Sequence, residues 1–239
     1  MSWKNTWPYF AWQSIRYARD RAHFQRIWSY KKRWSESFQE GHNSVSDEMP
    51  WINFIAIDYL KTQLRPGFKV FEFGGGGSTL FFCKNVAEVV TAENHEGWFK
   101  ILTETVRAKG YQNWRGFYIL PEPLTDQRPR SYSDPADFVS SVAAFKGQSF
   151  EKYARSIDEF SPEYFDLILV DGRARPSCIQ QAIPRLKKGG LLVVDNTERL
   201  YYLSHFQEII ATQFIVEEDR YAPVGYTPGF AQTTILRKK

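Results

Sequence analysis

The chain has 239 residues, of which 43% are hydrophobic and 24% charged, so its length and composition suit one α/β domain with an appendage. It has only two cysteines, which argues against a disulfide framework, and no apolar run long enough to cross a bilayer. Together these features predict a cytoplasmic protein. Residues 1–45 carry eight basic and three acidic side chains, so the net charge of +4 leaves the rest at −1, and we expect no nucleic-acid partner.

The first part of the chain, residues 1–45, is predicted to be a basic, aromatic-rich helical arm that precedes a domain at residues 46–239. Apolar side chains in the arm follow an imperfect helical stripe with basic residues between them: Phe24, Ile27, Trp28, Trp34 and Phe38. Such a stripe packs on the domain or on the second subunit of a homodimer. Alternatively, its tryptophan and arginine side chains make peripheral contact with a membrane surface.

A linker over residues 41–46 leads into the first predicted helix of the domain. Ser46 or Asp47 is expected to cap this helix, with Pro50 in its first turn. Pro66 is expected to end it.

Strand-like and helix-like stretches then alternate along the domain. Strands are predicted at 68–73, 88–93, 116–120, 165–170, 190–195, 213–218 and 231–237. Helices are predicted at 79–86, 96–109, 150–160 and 176–187. The alternation predicts parallel strands joined by right-handed crossovers. The last two strands are too close in sequence for a crossover helix and should pair as an antiparallel hairpin.

One connection, residues 121–149, is unusually long and contains four prolines. A loop of this length in a compact domain is usually functional or disordered. It follows the third strand at the carboxyl edge of the predicted sheet, where ligands bind. We therefore expect it to border the acceptor of any reaction, together with the loop at 221–230.

The most informative stretch is VFEFGGGGST, residues 70–79. Val70–Phe73 has the pattern of a strand buried on both faces, and four glycines follow it directly. Glycine lets the backbone approach a ligand closely. Ser78 and Thr79 can cap a helix whose free N–H groups favour an anionic group. The stretch predicts a strand, loop and helix built around a small ligand.

The spacing of the glycines distinguishes between ligand classes. A nicotinamide fingerprint, G-x-G-x-x-G, fails because the third glycine would fall on Thr79 or Leu80. A phosphate-binding P-loop fails because no Gly-Lys-Ser/Thr follows. Glu72, at the end of the strand, would repel a pyrophosphate but can hold an ammonium group.

The second chemical element is Glu93, at the end of the next predicted strand. A carboxylate in this place accepts hydrogen bonds from both hydroxyls of a ribose, about 20 residues after the glycine turn. A capping or salt-bridging acid is the alternative. The combination with Glu72 and the glycine loop favours the ribose role.

Four segments together resemble the class I S-adenosylmethionine-dependent methyltransferase family, over about residues 50–239. They are Glu72 to Thr79 (EFGGGGST), Glu93, Phe165 to Gly172 (FDLILVDG) and Lys188 to Asn196 (KGGLLVVDN). The resemblance implies a Rossmann-like, doubly wound α/β fold with a mostly parallel seven-stranded sheet and an antiparallel last strand. It also implies S-adenosylmethionine as the cofactor.

The resemblance further implies which residues hold the cofactor. The glycine loop would pass beneath its methionine part, with Glu72 holding the ammonium group through bound groups and Glu93 taking the ribose. Ser78 stands where many members carry a third glycine, and it can bond the cofactor carboxylate. The cofactor-binding residues implied are Glu72, Gly74, Gly75, Gly76, Ser78, Thr79, Glu93, Asn94 and Asp171, and Asn94, His95 or Glu122 can serve the adenine.

Three oxygen-bearing side chains, Asp171, Asp195 and Asn196, follow the fourth and fifth predicted strands. Three oxygen donors suit Mg²⁺, and they resemble the metal site of the catechol type of O-methyltransferase. The match is incomplete, because Ala174 stands where those enzymes have a lysine. The bland alternative is that these residues cap a helix and form a turn.

Three residues are candidates for the catalytic step: Asp171, Arg173 and His205. His205 is a candidate base by its place after the fifth strand, although a lone histidine is more often structural. Arg173 and Arg175 bind a phosphate, carboxylate or sugar-acid group of the acceptor, or else pair with nearby acids.

We therefore predict a methyltransferase, specifically an O-methyltransferase, that acts on an oxygen or nitrogen of a small-molecule or sugar-containing acceptor. Two alternatives remain open. One is a non-catalytic protein that binds S-adenosylmethionine as a scaffold. The other is a Rossmann enzyme that uses NAD(P), against which the missing third glycine argues.

Overall fold

The computed structural model describes residues 6–239, so the first five residues of the predicted arm lie outside the described part. The helices are α1 (Trp7–Tyr17), α2 (Arg21–Ser29), α3 (Lys31–Glu36), α4 (Phe54–Gln63), α5 (Gly77–Cys83), α6 (Glu96–Ala108), α7 (Glu151–Arg155), α8 (Arg175–Arg185) and α9 (Gln207–Gln213). The strands are β1 (Lys69–Phe73), β2 (Glu88–Glu93), β3 (Trp114–Tyr118), β4 (Glu122–Pro123), β5 (Gln148–Ser149), β6 (Phe165–Val170), β7 (Leu186–Asp195), β8 (Phe214–Glu218), β9 (Tyr221–Pro223) and β10 (Phe230–Lys238).

The main sheet has the strand order β3-β2-β1-β6-β7-β10-β8, with β9 paired to β10 beside this path. Strands β1, β2, β3, β6 and β7 run parallel to their neighbours among themselves, and β10 runs antiparallel to both β7 and β8. The predicted fold class, a mostly parallel seven-stranded sheet with an antiparallel last strand, is confirmed.

Helices cover both faces of the sheet, and the central strands are therefore apolar on both faces. In β6, Leu167 and Leu169 point to the face covered by α4 and α5, whereas Ile168 and Val170 point to the face covered by α7 and α8. This double burial explains why the strand reads as a nearly continuous apolar run.

Helices α1 to α3, which lie within the predicted arm, pack on the rest of the chain. Phe10, Ile27 and Trp34 are at most 1% exposed and belong to the same core as α4. Arg19 forms an ion pair with Asp219 at 2.6 Å. Of the alternatives for the apolar stripe, the described contacts show packing within the chain; the division into arm and domain stays a prediction.

The predicted start of the domain's first helix is wrong. Helix α4 begins at Phe54, and its N-cap is Asn53, whose side chain accepts from the backbone N–H of Ala56 at 2.9 Å. Asn53 also forms a bridge with Val224, and its amide donates to the carbonyl of Ala231 at 3.1 Å. These contacts hold the backbone at Asn53 outside the helix, so neither Ser46 nor Asp47 caps it.

Two predicted loops and one predicted helix also differ. The long connection contains β4 and β5, which pair with each other, and the loop at 221–230 begins with β9, which pairs with β10. The helix predicted at 150–160 is α7 followed by a 3₁₀ turn, Ser156–Glu159. In that turn the N–H of Phe160 bonds to the carbonyl of Ile157, which tightens the helix end.

Candidate functional site

A cavity of about 650 Å³ opens at the carboxyl ends of β1, β2, β6 and β7. We call it the main cavity. This is the edge at which open α/β sheets bind ligands, and its volume is in the range of small-molecule and cofactor sites. Most of the predicted site residues line it: Gly74, Gly75, Gly76, Ser78, Glu93, Asn94, Asp171, Arg173, Asp195 and Asn196.

The glycine loop forms the floor of the main cavity, and at three of its glycines, Gly74, Gly75 and Gly77, a Cβ would lie 3.0 Å or less from another atom. Gly74 has φ of +91°, and a Cβ on it would lie 3.0 Å from the Cα of Gly172. A Cβ on Gly77 would lie 2.0 Å from the carbonyl oxygen of Ser44. The loop is therefore held between the turn after β6 and the segment before α4. Helix α5 begins at Gly77, earlier than predicted, because Gly76 and not Ser78 or Thr79 is its N-cap.

Glu72 lies beneath the glycine loop and does not line the main cavity. Its carboxyl accepts hydrogen bonds from the hydroxyls of Ser78 at 2.6 Å, Thr91 at 2.7 Å and Thr79. Burial raises the pKa of Glu72 to about 7, although the three hydroxyls oppose the shift. Of this group only Ser78 reaches the cavity, so Glu72 acts on the site by fixing the loop.

Glu93 lies at the edge of the main cavity and is 6% exposed. Its Oε2 accepts from the backbone N–H of Gly75 at 2.9 Å, and its Oε1 accepts from those of Asn94 and His95, each at 2.8 Å. A carboxylate has about four acceptor positions, so one remains on Oε2 for a ligand hydroxyl. Glu93 therefore joins the glycine loop to the turn after β2.

Two tryptophans in the cavity wall were not among the predicted site residues. Trp98, in α6, donates from its indole N–H to the carbonyl of Gly75 at 2.5 Å and lies over Gly76. Trp51 was predicted inside a helix, but it precedes α4 and is 53% exposed at the cavity. Their position depends on how the chain packs, and neither has a distinguishing sequence motif.

Arg175 lies between the two aspartates of the predicted metal site. Its Nη2 donates to Asp171 Oδ1 at 2.8 Å and to the Asp171 carbonyl at 3.0 Å, and its Nη1 donates to the Asp195 carbonyl. Asp195 Oδ1 accepts from the hydroxyl of Thr233 at 2.6 Å. Burial raises the pKa of both aspartates, and the guanidinium of Arg175 opposes the shift.

These contacts make the predicted Mg²⁺ site a poor fit. The positive charge beside Asp171 and Asp195 is supplied by Arg175, and a divalent cation there would be repelled by it. Across residues 6–239, no cluster of three or more His, Cys, Asp or Glu side chains is arranged to hold a metal ion. The expectation of a metal at Asp171, Asp195 and Asn196 is not supported, because the two aspartates are engaged by Arg175 and Thr233.

Of three further residues with a predicted role, one lines the main cavity and two lie away from it. Arg173 is exposed and lines the main cavity. His205 is exposed in a 3₁₀ turn and does not line it, so we give it no role as a base. Glu122, one of the candidates for the adenine, lies in β4 and forms an ion pair with Lys152 at 2.6 Å, away from the cavity.

A second, smaller pocket of about 30 Å³ adjoins the main cavity. We call it the side pocket. Gly172 and Arg173 line both spaces. Its other walls come from the start of α8, from Arg199, Tyr201 and Tyr202 after β7, and from Tyr132 and residues 139–142 of the long connection.

No model of a protein family and no curated protein matches the sequence. Solved structures do match. A protein of Klebsiella pneumoniae assigned as an O-methyltransferase is 15% identical, with a TM-score of 0.53 over 90% of this chain and 89% of that one. A protein of Streptococcus mutans assigned as a methyltransferase, solved in complex with SAH, is 13% identical, with a TM-score of 0.52 over 77% and 96%. An rRNA methylase from Streptococcus thermophilus is 14% identical, with a TM-score of 0.51 over 77% and 94%.

The chain therefore has the Rossmann-like fold of class I S-adenosylmethionine-dependent methyltransferases. This bears out, at the level of the fold, the resemblance carried by the glycine loop and the motifs after β2, β6 and β7.

One expectation about partners is wrong. The exclusion of nucleic acid rested on the near-neutral charge of the domain, but the same fold occurs in an rRNA methylase. Net charge over a whole domain does not reveal a local surface that binds phosphates. In the described part of the chain, no helix combines the length and apolar character that spanning a membrane requires.

Proposed function

We propose that the chain is an S-adenosylmethionine-dependent methyltransferase that transfers a methyl group to an oxygen, or else a nitrogen, of a small-molecule or sugar-containing acceptor. The main support is the acidic main cavity, which combines a side-chain-free loop with the carboxylates of Glu93 and Asp171. A cavity with this charge suits a cofactor that carries a sulfonium and an ammonium group.

The residues present fit the cofactor. Gly74 and Gly76 leave the floor of the main cavity bare, so backbone groups can approach a ligand closely. Glu93 keeps an acceptor position for the ribose, whereas the hydroxyl of Ser78 donates to Glu72 and so fixes the glycine loop from below. Asn94 and His95 line the cavity beside Glu93 and would contact the adenine. When bound, S-adenosylmethionine supplies an electrophilic methyl group.

The chain's own contribution is to place the acceptor and to receive its proton. Asp171 lines the main cavity, and its Oδ1 is held by Arg175, which fixes the direction of the carboxyl. Burial raises the pKa of Asp171, which brings it closer to that of a useful general base. Trp51 and Phe230 give the cavity an apolar part of its wall.

Calorimetric titration of the full chain with S-adenosylhomocysteine tests this proposal. We expect binding that is at least tenfold tighter than that of NADH, since no pyrophosphate fingerprint is present. We expect Glu93→Gln to weaken binding by about tenfold or more, because hydrogen bonds to a charged group contribute about 1.5–3 kcal/mol. Glu96→Gln, at an exposed position in α6, is the matched control.

Two results would separate the alternatives. Tighter binding of NADH than of S-adenosylhomocysteine would refute the proposal in favour of a nicotinamide enzyme. Binding of S-adenosylhomocysteine without methyl transfer from S-adenosylmethionine to phenols, sugars, amines or RNA would favour the scaffold.

A cytoplasmic location also belongs to the proposal. It is supported by Cys83 and Cys178, which are both buried and free of disulfide bonds.

A further inference from the structure

The charges around the side pocket are all of one sign. Three arginines line it, namely Arg173, Arg175 and Arg199, and among residues 6–239 no aspartate or glutamate does. A pocket with several guanidinium groups and no acid is suited to an oxyanion, because the planar fork of arginine matches carboxylate and phosphate.

Within the described part of the chain, two of these arginines have no acidic partner. Arg175 is committed to Asp171 and to neighbouring carbonyls. Arg173 and Arg199, by contrast, form no ion pair with a carboxylate in residues 6–239. A guanidinium group without a carboxylate partner keeps N–H donors that can bind an anion. Arg173 and Arg199 both line the side pocket, so their donors are available to a ligand there.

Aromatic rings and a hydroxyl hold the two free arginines in place. Arg199 donates from Nη1 to the hydroxyl of Tyr202 at 2.9 Å, and Tyr202 is 6% exposed. The guanidinium of Arg173 lies 5.5 Å from the ring centre of Phe145. These contacts orient the donors before a ligand arrives, which lowers the entropic cost of binding.

The size and polarity of the side pocket fit a small charged group. Its volume of about 30 Å³ exceeds what one water needs but is far below that of the main cavity. Hydroxyl groups complete the wall: Tyr201 donates to Ser141 Oγ at 3.1 Å, and Ser140 and Tyr132 also line the pocket. A terminal oxyanion would enter the pocket, while a ring would stay outside.

We propose that the side pocket binds a phosphate or carboxylate group of the acceptor, held between Arg173 and Arg199. The assignment of this group to the acceptor rests on the proposed function. It also rests on the position of the pocket, since Gly172 and Arg173 line both the side pocket and the main cavity. An acceptor anchored there would present its uncharged part to the main cavity. The substrate class is then an anionic small molecule or an anionic sugar derivative.

Calorimetric titration of the full chain with inorganic phosphate and, separately, with acetate tests the pocket at constant ionic strength. We expect one of the two to bind, which identifies the preferred oxyanion. Its affinity should fall by about tenfold in Arg173→Gln and in Arg199→Gln, and further in the double variant, as expected for loss of a charge-assisted contact. Arg107→Gln, at an exposed position of α6, removes the same charge elsewhere and should bind like the parent.

The outcomes distinguish this proposal from the proposed function. Absence of phosphate and acetate binding to the parent, or equal binding by the parent and the Arg173/Arg199 double variant, overturns the side pocket as an anion site. Titration with S-adenosylhomocysteine is a separate measurement. If the parent binds phosphate but not S-adenosylhomocysteine, the proposed function fails while the anion site stands.

Discussion

The main cavity and the side pocket are neighbours with opposite charge. The main cavity is lined by four acidic side chains and one arginine, and the side pocket by three arginines and no acid. The acids are Glu93, Asp171, Asp195 and Glu198. Charge is therefore sorted between two adjoining spaces: under the two proposals, a positively charged methyl donor and a negatively charged acceptor would lie side by side without competing for the same groups.

Arg175 makes this sorting possible. It is 7% exposed, and it pairs with Asp171 on the side of the main cavity while its guanidinium also borders the side pocket. Ala174, directly before it, has φ of +45°, and this left-handed turn precedes α8. The ion pair of the buried Arg175 with the partly exposed Asp171 thus lies at the boundary between the two spaces.

The largest expected effect comes from removing this arginine. Arg175→Met should lower the free energy of unfolding by about 3 kcal/mol, because it leaves the buried Asp195 and the partly buried Asp171 without the nearby cation. Urea denaturation measures the change. Arg155→Met is the matched control, since the ion pair of Arg155 with Glu151 is exposed and should cost about 1 kcal/mol or less. Similar losses in both variants would contradict the role of Arg175.

The next largest effect is expected at Gly172, which lines both the main cavity and the side pocket. A Cβ on Gly172 would lie 1.9 Å from the hydroxyl of Tyr153, so Gly172→Ala should cost about 1–3 kcal/mol of stability through overpacking. Adding Tyr153→Phe removes the clashing oxygen and should restore part of the loss. Gly67→Ala, where a Cβ meets no atom within 4 Å, is the control. No recovery in the double variant would place the strain elsewhere.

The pH dependence of the unfolding free energy tests whether Glu72, buried beneath the glycine loop, is protonated in the folded chain. The pKa of Glu72 is raised to about 7 in the folded chain, against about 4.3 in an unfolded one. The folded state binds the proton more tightly, so this group lowers the unfolding free energy as pH rises between these values. Glu72→Gln should flatten that decline in urea denaturation between about pH 4.5 and about pH 7. Equal slopes in parent and variant would mean that Glu72 is already ionised.

The smallest effect is expected for Tyr153→Phe alone. The Tyr153 hydroxyl is fully buried and forms no hydrogen bond of regular geometry within the described residues, although the backbone of Arg173 lies close enough to lower the pKa of the hydroxyl. Its removal should therefore change the unfolding free energy by no more than about 0.5 kcal/mol, or raise it slightly. A loss above about 2 kcal/mol would reveal a partner for the hydroxyl.

The sequence was a sufficient guide to the main cavity because of strand geometry. The carboxyl ends of parallel strands meet at one edge, so Glu93, Asp171 and Asp195 had to converge on the glycine loop once the strands were identified. The spacing of the glycines argued against a dinucleotide fingerprint and a P-loop, whereas the cofactor was implied only by the resemblance to the methyltransferase family.

The side pocket depends on packing, which the sequence does not reveal. Arg173 and Arg175 look equivalent in RARP, yet the turn at Ala174 buries one and exposes the other. Arg199 carries no motif and reaches the pocket through the 3₁₀ turn after β7. Capping by Asn53 was missed for the same reason, because its contacts with Val224 and Ala231 come from the far end of the chain.

A crystal structure of the full chain grown with S-adenosylhomocysteine and soaked in phosphate would test the division of the site most directly. We predict S-adenosylhomocysteine in the main cavity, with one ribose hydroxyl on Oε2 of Glu93, and phosphate between Arg173 and Arg199. S-adenosylhomocysteine outside the main cavity, or phosphate bound at the glycine loop instead, would contradict the separation of an acidic donor site from a basic acceptor site.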